Sequence, residues 1–185
     1  MKFEYRLCGL GWAEGYIEIN SLTVDFTVSY FSDGLGEFLN SLMVLNPFCV
    51  PDDEVKSETI CSWYVEPSGT ELIFKRNNDM LNIKVITYED MDFQINKKLQ
   101  IEAFVAYDEF LLNVIKQADL LLKKHGIIGY KEAWYEHDFP ITSFLKLKNY
   151  LLHKKKYPID TFIEKGCELE KSNLNKDVYL LLNCI

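Results

Sequence analysis

Apolar and polar residues alternate along residues 22–30, where Leu22, Val24, Phe26 and Val28 are separated by Thr23, Asp25 and Thr27. Period two is the mark of a strand with one buried face. At Ser32 the period changes, and Leu35, Phe38, Leu39, Leu42 and Met43 recur at helical spacing. The pattern predicts a strand that delivers the chain into a helix over 32–45. Ser32 is the expected N-cap, and Asp33 and Glu37 place negative charge near the positive helix end. An apolar helix stripe following a half-buried strand implies a sheet for it to cover.

The same alternation predicts strands at 3–7 and 12–19, joined at Gly9-Leu10-Gly11, and further strands at 59–66, 71–76, 80–88 and 99–105. Pro67-Ser68-Gly69-Thr70 and Asn77-Asn78-Asp79 read as tight turns, which favour antiparallel neighbours. Pro47, Pro51 and Asp52-Asp53-Glu54 mark a loop, and residues 89–98 mark another. A long helix is predicted over 107–124, with Gly126 as its stop. Residues 129–138 are aromatic-rich and irregular in pattern. Pro140 opens a helix to about His153, Pro158 and Asp160 open a short one to about Lys171, and 178–182 is an apolar end segment. The fold class is therefore α+β. The expected architecture is one antiparallel sheet of about six strands with a helix inserted mid-chain. Two or three C-terminal helices pack on one face, leaving the other open. Residues 1–185 form a single domain, strand-rich over 1–105 and helix-rich over 106–185.

Charge changes the picture of what this fold meets. The net charge is -8, and all of the excess lies in residues 1–100, which hold 8 Lys/Arg against 16 Asp/Glu. Such a surface is a poor match for nucleic acid, which needs a concentrated basic footprint. The lysines at 146, 148, 154, 155 and 156 form the one basic cluster, read as a solvated helix face or a contact for an acidic partner. No apolar run approaches the roughly 18–20 residues of a membrane span. Glu4 and Arg6 fall where a signal peptide would be apolar. The expected location is cytoplasmic, with no membrane contact.

Candidate chemistry is sparse. Five cysteines, at 8, 49, 61, 167 and 184, lack CxxC spacing and read mostly as buried apolar residues. Gly9-Leu10-Gly11-Trp12-Ala13-Glu14-Gly15 departs from a dinucleotide loop, because Glu14 takes the third glycine's place and a strand follows. His125, His137 and His153 share no ligand motif, and Glu136-His137-Asp138 would need ligands from elsewhere. Cys61 lies in a predicted strand, where a thiol usually packs. Asp90 and Asp92 are more naturally an exposed acidic loop than an acid–base pair. No catalytic, metal or cofactor residue is assigned, and an enzyme is not expected. Trp12, Trp63 and Trp134 belong to the core, to an interface or to a ligand groove.

The segment Tyr30-Phe31-Ser32-Asp33-Gly34-Leu35-Gly36-Glu37-Phe38-Leu39 follows Gly11-Trp12-Ala13 and precedes Trp63-Tyr64-Val65-Glu66-Pro67-Ser68-Gly69. Together they resemble a group of uncharacterised bacterial proteins with a "sYLSDaLgdLl" helix entry and an aromatic strand ending in Glu-Pro-Gly. Here Ser68 intervenes. The resemblance spans roughly residues 5–90 and supplies no catalytic residue. In general character the chain also resembles immunity proteins that neutralise bacterial toxins. This implies a non-enzymatic interaction protein that occludes a basic toxin. Asp52, Asp53 and Glu54 with Glu89, Asp90 and Asp92 are the candidate partner-binding residues, on loops, unless they serve solubility alone. The alternative is a small-ligand binding module with an aromatic-lined pocket.

Overall fold

The structure is a computed structural model and describes residues 1–135 and 137–185. Three strands, β1 (Lys2–Gly9), β2 (Trp12–Ile19) and β3 (Leu22–Ser29), pair antiparallel in that order. Their inner face is apolar: Tyr5, Ala13, Ile17, Phe26 and Val28 are all buried. Thr23, Asp25 and Thr27 face solvent, as the alternation predicts. The β2–β3 loop is two residues, Asn20 and Ser21, both at positive φ. That backbone matches the twist of the flanking strands.

At the other end of the sheet Gly11 has φ +73°. Its N–H donates to Ala133 O at 2.7 Å, and its carbonyl accepts from Tyr30 N at 2.9 Å. A Cβ at this position would come within 2.7 Å of the Tyr30 ring. Gly11 therefore joins the β1–β2 turn both to the end of β3 and to a distant helix, in a conformation and a space that only glycine fits.

α1 (Gly34–Met43) begins two residues later than the sequence suggests. Its N-cap is Asp33, not Ser32: Gly36 N–H donates to Asp33 Oδ1 at 3.2 Å. The reason is the turn before it, where Ser32 N–H donates back to Ser29 O and uses Ser32 in closing the β3 exit. The apolar stripe is where the spacing puts it, with Leu35, Phe38, Leu39 and Leu42 all buried.

β4 (Glu58–Val65), β5 (Ser68–Asn77), β6 (Met80–Tyr88) and β7 (Lys98–Ala106) form a second antiparallel sheet in chain order. This corrects the expectation of one sheet of about six strands: among the described residues, nine strands form sheets of three, four and two. β3 and β4 meet through side chains rather than a ladder, with Ser29 Oγ donating to Tyr64 O at 2.8 Å. The long excursion through α1 and a 3-10 turn at Asp52–Glu54 lets the second meander start on its own edge.

α2 (Tyr107–Trp134) runs past the expected stop. Gly126, at φ +68°, ψ 177°, breaks the helical backbone, and helical structure then resumes as far as Trp134. α3 (Ile141–His153) starts after Pro140 as predicted. The short helix expected near 160–171 is instead a hairpin, β8 (Asp160–Glu164) and β9 (Cys167–Lys171). Lys165 and Gly166 both take positive φ, making the two-residue loop of a hairpin where the pattern suggested helix. α4 (Leu174–Leu182) follows, capped by Asn173.

The two large sheets, α1 and α2 enclose one aromatic core. The Phe38 ring stacks on Phe3 at 5.1 Å, and Trp63, Phe74 and Phe110 surround it within 6.3 Å. Trp63 lies 4.3 Å from Phe26, and its indole N–H donates to Gly34 O at 2.9 Å. Tyr107 Oη donates to Leu42 O at 2.8 Å. Among the described residues, no helix is long and apolar enough to cross a membrane.

Candidate interaction surface

Both large sheets leave an outer face without a helix, and the two faces differ in chemistry. That of β1–β3 is mostly polar, with Lys2 paired to Glu4 and Arg6 to Glu14, and Trp12 at one end is its large exposed apolar side chain. That of β4–β7 carries large apolar side chains: Ile60 is 56% exposed, Met80 45% and Phe104 65%. Apolar residues in the outward phase of a strand are informative, because burial inside the monomer does not explain them.

The ladder register fixes how they lie. One row reads Ile60, Ile73, Lys84, Glu102, and the next reads Glu58, Lys75, Asn82, Phe104. Cross-strand ion pairs lie within these rows, Lys84 to Glu102 at 2.9 Å and Lys75 to Glu58 at 3.4 Å. Both pairs are largely solvent-exposed and contribute little to stability. A shallow groove of about 920 Å³ runs over Ile73, Met80, Asn82 and Phe104 toward the Asn77–Asp79 turn.

The six acidic residues singled out from sequence fall into two groups at opposite ends of this sheet. Asp52, Asp53 and Glu54 form the exposed 3-10 turn that leads into β4. Glu89, Asp90 and Asp92 lie on the loop leaving β6 at the far end. An eight-residue strand, about 25 Å, separates the two ends. The groups therefore do not form one patch; they bracket the sheet. The 89–97 loop is ordered by its own contacts: Asp90 Oδ1 accepts from Phe93 N at 3.0 Å, and Asn96 donates to Glu89. It folds back over the sheet so that Met91 lies against Gly69. Asp52 is matched by Lys156 at 3.0 Å, which leaves Asp53 and Glu54 as the unpaired charges of their turn among the described residues.

The basic cluster is divided between one buried lysine and an exposed group. Lys148 is buried and hydrogen-bonded to buried Asp119 at 2.5 Å and to Asn183 O at 2.6 Å. Lys154 pairs with Asp108, and Lys156 with Asp52. Lys154, Lys155 and Lys156 are solvent-exposed, as the sequence suggests, and Lys148 is the exception.

Catalytic geometry does not assemble among the described residues. Burial pushes the Cys49 thiol up to about 12 and the Cys61 thiol well above its usual value, so neither is a thiolate near neutral pH. Cys8, Cys167 and Cys184 are exposed, against the expectation of mostly buried cysteines. No cluster of three or more His, Cys, Asp or Glu among the described residues could hold a metal. Of the Glu136-His137-Asp138 group, Glu136 lies outside the described residues, while His137 Nε2 lies 3.2 Å from Tyr30 O.

Comparison with models of known protein families, with curated protein sequences and with solved structures finds no match to this chain.

The three segments behind the bacterial resemblance meet in space around the start of α1. Gly11 touches Tyr30, Trp63 donates to Gly34, and Ser29 donates to Tyr64. They do structural work there, holding two sheets and a helix entry together. Trp63 and Trp134 are fully buried, so of the three tryptophans only Trp12 reaches solvent. The outward phase of Ile60, Ile73 and Phe104 was the sequence signal for the open face. In 59–66 the inward phase is Cys61, Trp63 and Val65, and Ile60 is out of step with it.

Proposed function

We propose that the chain is a non-enzymatic bacterial cytoplasmic interaction protein that seats a basic protein partner on the outer face of the β4–β7 sheet, as an immunity protein occluding a toxin would. The observation that carries this reading is an uncovered sheet face with exposed apolar side chains on both edge strands, Ile60 on β4 and Phe104 on β7, and an acidic loop at each end. Four strands about 4.8 Å apart and about 25 Å long present a footprint on the order of 500 Å². With both loops engaged, the area approaches the roughly 800 Å² per partner of a standard interface. Ile60, Met80 and Phe104 supply large apolar side chains for a partner to desolvate, the kind of contact in which binding energy concentrates. The acidic ends steer encounter and fix orientation.

The test is association with the product of the neighbouring gene, measured across a salt series. Neutralising Asp53, Glu54, Glu89, Asp90 and Asp92 should slow association most at low ionic strength, because salt already screens such charges over about 8–10 Å under physiological conditions. An association rate unchanged at every salt concentration would reject steering by these loops.

A further inference from the structure

A separate cavity lies between α3, α4 and the chain leading into β8. It is open to solvent along one side and has a volume of about 330 Å³, equal to about ten water volumes. Its walls are apolar: Leu145 comes from α3, Ile159 from the approach to β8, and Leu174, Val178 and Leu181 from α4. The α4 residues are spaced four and three apart, so they form one stripe along the cavity. That stripe is partly exposed to solvent. Leu180 is the one fully buried residue of α4, while Leu174 is 73% exposed.

Two charged side chains also line the cavity, and their circumstances differ. Asp177 is satisfied: Tyr157 Oη donates to Oδ1 at 2.5 Å and Ser172 Oγ to Oδ2 at 2.6 Å. Burial and the hydrogen bond to Asp177 hold the Tyr157 phenol well above its usual range, so it remains a donor. Lys146 lines the cavity without a carboxylate in ion-pair range among the described residues, while Lys148, Lys154 and Lys156 on the same stretch each have one. Both Asp177 oxygens are thus occupied by hydroxyl donors, while the Lys146 ammonium, which makes no side-chain hydrogen bond or ion pair among the described residues, is the charged group left to take a ligand beside the aliphatic slot.

We propose that this cavity binds a small aliphatic monocarboxylate, its chain along the Leu174–Val178–Leu181 stripe and its carboxylate on Lys146. Pockets of about 300 Å³ or more, mainly apolar with one or two placed polar groups, are the usual form of small-ligand sites. The volume suits a chain of about eight carbons.

The experiment is titration calorimetry on the full chain with octanoate, 1-octanol and octylammonium. Octanoate should bind more tightly than either of the others. Lys146→Met, which keeps the aliphatic stem, should weaken octanoate at least tenfold and leave 1-octanol unchanged. Val178→Trp, which fills the slot, should abolish binding of both. Leu174→Asp, at an exposed rim position, serves the same purpose if the Trp variant loses its native circular dichroism. Absence of octanoate binding at millimolar concentration overturns the proposal. So does octanoate binding that Lys146→Met leaves unchanged, or tighter binding of octylammonium, which would assign the head group to Asp177.

Discussion

Trp63→Phe tests how the two sheets and α1 are joined. The indole is fully buried and does two things. Its ring fills the space between Phe26 and Phe38, and its N–H satisfies the Gly34 carbonyl at the start of α1. Phenylalanine keeps an aromatic ring in the stack but has no donor. Gly34 is the first residue of α1, so its carbonyl keeps the helical bond from Phe38 N–H, and what is lost is one hydrogen bond, about 0.5–1.5 kcal/mol. The smaller ring leaves a void on the order of 40 Å³, which at about 24 cal/mol per Å³ adds about 1 kcal/mol. The sum is about 1.5–2.5 kcal/mol. For a chain of this size that lowers Tm by roughly 3–10 °C. Urea unfolding followed by far-UV circular dichroism avoids relying on the removed fluorophore. The midpoint should fall with m unchanged. A loss below about 0.5 kcal/mol would refute the claim that Trp63 clamps α1 to the second sheet.

At the α1 N-cap, Asp33→Ala should cost about 1 kcal/mol by thermal unfolding, while Asp33→Asn retains the cap. Burial raises the Asp33 carboxyl above its usual range, so its ionisation disfavours folding, and any advantage of Asn should shrink as pH falls through the carboxylate range. Asp119→Ala leaves the Lys148 ammonium buried without its counter-charge and should cost about 3–5 kcal/mol in chemical denaturation. Burial works to raise the Asp108 carboxyl, but hydrogen bonds from Lys154 and Tyr150 prevail and hold it below its usual value. A lowered carboxyl stabilises the fold above its unfolded pKa, and that contribution disappears as pH falls through the folded value. Wild type should therefore exceed Asp108→Asn by under about 1 kcal/mol at pH 7, since the pair is half-exposed, with the gap closing on acidification below about pH 4.

Local periodicity made the first seven strands, α1 and α3 legible, because each buries one face and the side-chain period declares it. The division into two sheets was not legible. Alternation shows that β3 and β4 are strands but not whether their edges pair, which depends on where the excursion through α1 returns the chain. The β8–β9 hairpin was misread because Pro158 and Asp160 imitate a helix start, and Lys165-Gly166 departs from the usual Asn-Gly or Asp-Gly loop. The acidic residues at 52–54 and 89–92 were recognisable as loops. Their placement at opposite ends of one open face follows from the β4–β7 register, which no local pattern contains. The lysine cluster is visible as charge, yet the carboxylates that pair with Lys148, Lys154 and Lys156, namely Asp119, Asp108 and Asp52, are distant in sequence.

The most direct test of the proposed binding face is the affinity of the neighbouring gene's product for wild type and for the Ile60→Asp/Phe104→Asp variant. Both substitutions are at exposed positions, so circular dichroism and Tm should stay close to wild type. If the β4–β7 face seats the partner, two carboxylates in place of its exposed apolar side chains should weaken binding about 100-fold or more, a loss of about 2.7 kcal/mol. An affinity within twofold of wild type would contradict the account.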